Sequence, residues 1–380
     1  MKKNKKVAVI TFFQSDDNYG QLLQCYALQR VLKNIGTTPF VIRYGFHKKY
    51  YHWFSTWNFT TKQGIRLFLK KILEIIKNRN IRNNRDFDGF RKKYIKQSFY
   101  CYNNLAELQG KPPKADVYIT GSDQVWAQLL NNINNKSFFL DFGQSSVKRI
   151  AYAPSFAIKA YPIELKNDLK NNLRRFNAIS VREKTGIIIC KDVGADAKLV
   201  LDPTLLLTKL VYDRIAITTK YRRYAFVYHV NIEKSQEIFW KECKKFNEKS
   251  GLLSIATYAN PIEGITMEML FGANYLYPTI GEWIGLIKHA EYVLTSSFHG
   301  MVFSILYHKP FAVCLRKEST FAGNDRVTDL LDSLGLKDRI ITNGDQLNII
   351  LCKYINWEKI EEKLQKYREN SIDFLKYSVL

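Results

Sequence analysis

The sequence predicts an α/β protein built on parallel sheets and divided into two domains. Short apolar, β-branched runs alternate with stretches of helical spacing, the order that parallel layers require. The length of 380 residues exceeds what one hydrophobic core ordinarily supports. A composition of 46% apolar, 14% aromatic and 24% charged residues can bury enough surface to offset the entropy of ordering, which excludes a disordered chain. Strand character falls at 7–13, 39–44, 115–120, 149–153, 178–181, 198–201, 224–229, 252–257, 292–295 and 311–315, with helical patterns between most of them. The first helix, over 21–35, carries Leu28, Leu32 and Ile35 beside Leu23, Ala27 and Val31, and Gly36 stands where a C-cap belongs. Proline directly after a strand, in Leu201-Asp202-Pro203-Thr204, marks the domain boundary. The expected division is an N-terminal domain 1–205 with a basic helical insertion at about 46–100, a C-terminal domain 206–355, and a final helix 356–380 long enough to pack back on the first domain.

Several classes are excluded. No apolar run approaches the roughly 18 to 20 residues that span a bilayer. Residues 1–6 are basic, but the apolar stretch behind them ends at Gln14, Ser15, Asp16 and Asp17 without a small-residue cleavage site, so they read as an exposed tail before a strand. The six cysteines, at 25, 101, 190, 243, 314 and 352, form no C-x-x-C pair and no Cys/His cluster, so neither a metal centre nor a disulfide scaffold is expected. Isolated thiols on apolar patterns fit the cytoplasm.

The net charge of +23 is uneven. Residues 43–100 hold fifteen Lys and Arg against Glu74, Asp86 and Asp88, about half of the total charge. Aromatic and aliphatic side chains are threaded through this segment, beginning with His47, Tyr50, Tyr51, Trp53 and Phe54. That mixture suits an anionic membrane surface or single-stranded nucleic acid. It equally suits a solvated helical insertion packing on its own chain. No helix-turn-helix, zinc-finger, RNP or KH signature is present, so no nucleic acid is expected.

Ligands of open parallel sheets bind outside the carboxyl ends of the strands, which directs attention to four polar groups. After the first strand, Asp17 and Asn18 are placed to touch a ligand hydroxyl, and Gly20 opens a helix N-terminus to a ligand, unless these are an ordinary cap and turn. After 117–120, Ser122, Asp123, Gln124 and Trp126 resemble a sugar-reading loop, with carboxylate and amide on hydroxyls and the indole as an apolar face, or else form a capped helix start. Arg182, after 178–181, is an anion clamp or a surface charge. The sharpest group is Ser296, Ser297, His299 and Gly300, where hydroxyls, helix N–H groups and a proton-exchanging imidazole meet at a strand end. The other histidines read as structural. Neither G-x-G-x-x-G nor a P-loop is present.

These segments occur in the order found in the polysaccharide pyruvyltransferase family, which the chain resembles over about 18–326: Asn18-Tyr19-Gly20, Gly121 through Trp126, Ser180-Val181-Arg182-Glu183, Leu201-Asp202-Pro203-Thr204, and Ser296-Ser297-Phe298-His299-Gly300. The resemblance implies two Rossmann-like domains facing across a cleft, like GT-B glycosyltransferases. It implies phosphoenolpyruvate as donor, no separate cofactor, and a sugar diol as acceptor, joined as a cyclic pyruvate ketal during bacterial capsular or exopolysaccharide biosynthesis. His299 and Arg182 fall where the family handles the donor. Many members place a basic residue two positions before the histidine; here it is Ser297, and Arg326 is the candidate to replace that cation. His299 as acid with Asp17 or Asp123 as base is the simplest assignment for ketal formation. The acceptor is expected on a lipid diphosphate at an anionic membrane surface, with the enzyme cytoplasmic or peripheral on its inner face. The alternatives are a GT-B glycosyltransferase using a nucleotide sugar and a non-catalytic membrane-surface or nucleic-acid binding protein.

Overall fold

A computed structural model describes residues 4–45, 62–127, 130, 132–230, 237–259, 270–315, 323–342, 344 and 346–380. The aromatic and basic run 47–54 lies outside them. The first sheet contains β1 (Lys6–Ile10), β2 (Thr38–Tyr44), β3 (Gln97–Tyr102), β4 (Val117–Thr120), β5 (Lys148–Ala151), β6 (Ala178–Val181) and β7 (Lys198–Leu199). Its order is β3-β2-β1-β4-β5-β6-β7 and every pairing is parallel. The second contains β8 (Tyr224–Val230), β9 (Leu253–Ala259), β10 (Tyr292–Thr295), β11 (Phe311–Cys314) and β12 (Ile340–Ile341), in the parallel order β12-β11-β10-β8-β9. Strand order reverses between β1 and β4 in the first sheet and between β8 and β10 in the second. These are the two points where a doubly wound sheet opens a crevice.

Each anticipated strand span holds a strand. β3 and β12 fall outside those spans, and both are sheet edges. β3 belongs to the segment read as a helical insertion: Ser98 is buried while Phe99 and Tyr100 are exposed, so edge pairing rather than a buried apolar run creates the strand.

The helix Tyr19–Asn34 starts at an Asn18 N-cap and is followed by Gly36 at φ 88°, a left-handed position that glycine reaches without a Cβ penalty. It is buried along most of its length and belongs to one core that runs through both domains, joining Val7 and Val9 to Tyr228, Trp283 and Phe303. Separate apolar clusters cover the outer face of each sheet. Tyr19 crosses between domains: its ring stacks on Trp283 at 5.3 Å, and its hydroxyl donates to the Pro278 carbonyl at 2.7 Å. The C-terminal helix Trp357–Val379 returns to the first domain, where the Leu201 N–H donates to Ser371 Oγ, Arg368 donates to the Leu205 carbonyl, and Lys5 Nζ donates to the Val379 carbonyl.

The basic segment forms the helices Lys62–Arg85 and Phe87–Tyr94, then β3. Among its described cations, Arg85 and Arg91 are interior. Arg85 donates to the Tyr258 carbonyl of the second domain at 2.9 Å and lies over the Tyr258 ring. Arg91, 4% exposed, donates to the carbonyls of Phe13 and Ser15 and to Asp16 and Asp88. A multiply bonded buried guanidinium leaves several acceptors unpaired when removed. Arg91→Gln is therefore expected to cost about 3 kcal/mol or more in urea unfolding, while exposed Lys92→Gln stays within about 0.5 kcal/mol; equal effects would return Arg91 to the surface.

Candidate active site

The carboxyl ends of the two sheets face each other, and the side chains gathered there centre on Asp202, only 1% exposed, just before the turn Pro203–Leu206. Arg182 Nη1 and Ser122 Oγ donate to its Oδ2 at 2.7 and 2.9 Å. The Thr204 N–H and hydroxyl donate to its Oδ1 at 3.0 and 2.6 Å. From the second domain, His299 Nε2 stands 3.7 Å from Oδ1. Burial alone raises the pKa of Asp202, but the neighbouring His299, the Arg182 guanidinium and the Thr204 hydrogen bond outweigh it and hold the carboxyl well below its ordinary value. Asp202 is thus a fixed anion at neutral pH.

A second carboxylate faces the same guanidinium. Asp123 Oδ1 lies 3.9 Å from Arg182 Nη2 and 4.0 Å from Arg326 Nη1. The two guanidinium carbons flank the Phe298 ring, at 4.8 and 5.7 Å from its centre. Arg182 Nε and Nη2 and Asp123 Oδ2 have no hydrogen-bond partner. Asp123 is left-handed at φ 82°, and Ala153 and Ala157, at 55° and 51°, bracket the adjoining loop. Such conformations cost about 1–3 kcal/mol each and persist where the surroundings fix them. Here the Ser155 N–H donates to the Asp123 carbonyl at 2.8 Å. Glu183 is buried, takes the Phe156 N–H at 2.8 Å, and is pushed above its ordinary pKa by desolvation against the opposing pull of Arg182.

The structure brings together Ser122, Asp123, Arg182, Arg326 and His299. It gives other candidates different work. Trp126 is not a sugar platform: its indole is fully buried, stacks on Phe139 and donates to the Phe138 carbonyl. Asn18 and Ser297 cap helices, accepting from the N–H groups of Gln21 and Gly300 at 3.3 Å each. Ser296 ties β10 to β8 through the Val230 N–H and carbonyl. Gly300 gives room to Thr295 Oγ1, which a Cβ would approach to 2.3 Å. Gly20 admits no ligand on its Cα face; a Cβ there would fall 2.0 Å from His299 Nδ1. Gln124 is half-buried, and its N–H donates to Asp123 Oδ1 at 2.8 Å. Asp17 is half-buried on the loop before Gly20, where its carboxylate accepts from Ser15 Oγ at 2.7 Å. Asp202, in the segment that marks the boundary and carries part of the family resemblance, is not among the site candidates, although its place directly after a strand satisfies the same positional rule that singles out Arg182. Burial pushes His229, among the structural histidines, down to about 3.

A model of the polysaccharide pyruvyl transferase family matches residues 18–318, which include Asp123, Arg182, Asp202 and His299. The chain belongs to that family. No curated protein matches it. Among solved structures, Arabidopsis thaliana UGT89C1 complexed with UDP-L-rhamnose is similar over 99% of both chains, at 12% identity and a TM-score of 0.54. The S. aureus MnaA–UDP structure is similar over 98% of this chain and 96% of its own, at 11% identity and a TM-score of 0.53. UDP-N-acetylglucosamine 2-epimerase from Rickettsia bellii gives 99% of both chains, 10% identity and a TM-score of 0.50. At these identities the likeness is one of fold. This member of the pyruvyl transferase family has two Rossmann-like domains facing across a cleft, the arrangement of GT-B glycosyltransferases and epimerases.

Two substitutions test the geometry. Helix propensity favours Gly20→Ala by about 1 kcal/mol, so a loss of activity of about tenfold or more with an intact fold would locate its effect in the displaced His299 ring. Asp202→Asn leaves the Arg182 charge buried without its nearest anion, at about 3 kcal/mol in urea unfolding at neutral pH. Because the folded-state pKa of Asp202 is depressed, its stabilisation is complete above the unfolded value of about 4 and fades as pH falls below it. The wild-type stability curve is therefore expected to drop more steeply below that pH than the curve of Asp202→Asn, and parallel curves would refute the assignment.

Proposed function

We propose that this family member transfers the pyruvate carbons of phosphoenolpyruvate to two hydroxyls of a sugar, forming a cyclic ketal and releasing inorganic phosphate. The observation that carries the reading is the convergence of Arg182, Arg326 and His299 at the facing sheet ends, within the stretch that matches the family or close beside it. A donor with a phosphate and a carboxylate needs several charge-assisted hydrogen bonds, each worth about 1.5–3 kcal/mol. Arg182 offers Nε and Nη2 while its Nη1 holds Asp202. Arg326 supplies the cation that Ser297 does not.

The chemistry requires one proton on the methylene carbon and the removal of two hydroxyl protons. Protonation of that carbon makes the central carbon electrophilic, and a sugar hydroxyl adds to it. The bond between the central carbon and the phosphate oxygen then breaks, and the second hydroxyl closes the ring. One hydroxyl proton is balanced by the new methyl group and the other leaves with phosphate. In this reading His299 is the acid, held by Asp202 on one side and packed over Gly20 on the other. Asp123, whose Oδ2 has no hydrogen-bond partner, is the base, with Asp17 on the neighbouring loop as the other candidate.

Phosphoenolpyruvate at millimolar concentration is expected to raise the melting temperature, and incubation with a panel of sugars to yield a mass increase matching a pyruvate ketal. Stabilisation by a nucleotide sugar with no response to phosphoenolpyruvate would replace this reading with glycosyl transfer. His299→Ala is expected to lower kcat by about a hundredfold or more, and Arg182→Lys chiefly to raise KM for the donor.

A further inference from the structure

The helix Lys62–Arg85 has two faces with different surroundings. At about 100° per residue, Leu69, Leu73 and Ile76 fall within an arc of about 60°. They are exposed at 54, 66 and 50%. Arg66 and Lys77 flank that arc on one side and Arg79 on the other, and all three are exposed. Arg85 lies about 160° round from Leu69, buried against the second domain, and Arg82, about 140° round the other way, pairs with Asp16. One face is fastened to the body of the protein beside the loop that carries Asp17. The other presents three large aliphatic side chains between cations.

We propose that this outward face docks the protein on an anionic lipid surface. Aliphatic side chains spaced to enter the headgroup boundary, with arginine and lysine at the edges of the stripe to reach lipid phosphates, are what an interfacial helix requires. The helix sequence holds eight Lys and Arg against Glu74 alone, a net +7. That charge opposes pairing with a second copy of the same helix. Nucleic acid would engage the cations but gains nothing from Leu69, Leu73 and Ile76, because single strands stack on aromatic rings. The opposite face holds Asp16 through Arg82, so docking would set the cleft loop at a fixed place relative to the lipid surface. The proposal stands apart from the transfer reaction and is tested without it.

The full chain is sedimented with vesicles of phosphatidylcholine alone and of phosphatidylcholine mixed with phosphatidylglycerol, at low and at physiological salt. Binding to the anionic vesicles is expected to exceed binding to the neutral ones by about tenfold at low salt and to weaken as salt rises. Leu69→Gln/Leu73→Gln/Ile76→Gln should lower anionic-vesicle binding about tenfold, and Arg66→Gln/Lys77→Gln/Arg79→Gln should abolish the preference for anionic lipid. Unchanged melting curves for both triple variants would show that the fold is intact. If a variant does not fold, the wild-type comparison of the two vesicle types still decides. Equal binding to both vesicle types, binding to neither, tighter binding to an oligonucleotide, or a dimer that the aliphatic variant dissociates would each overturn the proposal.

Discussion

The carboxylate of Asp202 sits almost wholly out of water between the two domains, and an unpaired anion in such a place costs several kcal/mol. Four neighbouring residues, supplying five groups, answer that cost. Ser122 comes from the loop after β4, Arg182 from the end of β6, Thr204 supplies both its N–H and its hydroxyl, and His299 comes from the start of the helix Phe298–Leu306. These groups are distant in sequence and share little except a place at a sheet's carboxyl edge. Because each must reach the same two oxygens, the loops after β4 and β6, the domain crossing and the second domain's ligand edge are fixed relative to one another. The imidazole proposed as the acid is positioned by the group that also neutralises the guanidinium proposed to hold the donor.

The domains are also joined through a shared core. Tyr19, on a first-domain helix, stacks on Trp283, and Arg85, on the basic segment, reaches the Tyr258 carbonyl. Burial pushes the Tyr19 hydroxyl up to about 12, so it stays a neutral donor to Pro278 across the physiological range. A positive charge in the sequence therefore carries two meanings along one segment. Arg82, Arg85 and Arg91 brace the cleft, while Arg66, Lys77 and Arg79 face outward.

The parallel fold was legible because most of its inner strands are buried on both faces and appear as short apolar runs. β3 was not, because an edge strand with Phe99 and Tyr100 exposed lacks that pattern. Arg182 and His299 are legible from their position after strands, and Asp202 obeys the same rule, but the proline that follows it draws the reading to a chain turn and not to the carboxylate. Trp126 misled for a different reason. An indole after a strand reads alike whether it faces a sugar or, as here, Phe139, and only packing separates the two. Gly20 was recognised as a close-approach position, but the approaching group is His299 rather than a ligand, and a contact between residues 279 apart leaves no local signal.

The remaining physical question is how a site of this kind tolerates its own charge. Arg182 and Arg326 stand around Phe298, yet neither needs a distant counter-ion, because Asp123 Oδ1 lies within 4.0 Å of both. At that separation the attraction is about 4 kcal/mol per pair for an effective dielectric of about 20. Asp202 takes Arg182 Nη1 by a short hydrogen bond, whereas Asp123 approaches Nη2 only at ion-pair distance and from a strained, left-handed backbone. An oxyanion that bonds Arg182 through Nε and Nη2 therefore competes with Asp123 and leaves Asp202 in place. The two carboxylates thus divide the neutralisation of Arg182 between a fixed contact, the Asp202 hydrogen bond, and a yielding one, the longer approach of Asp123.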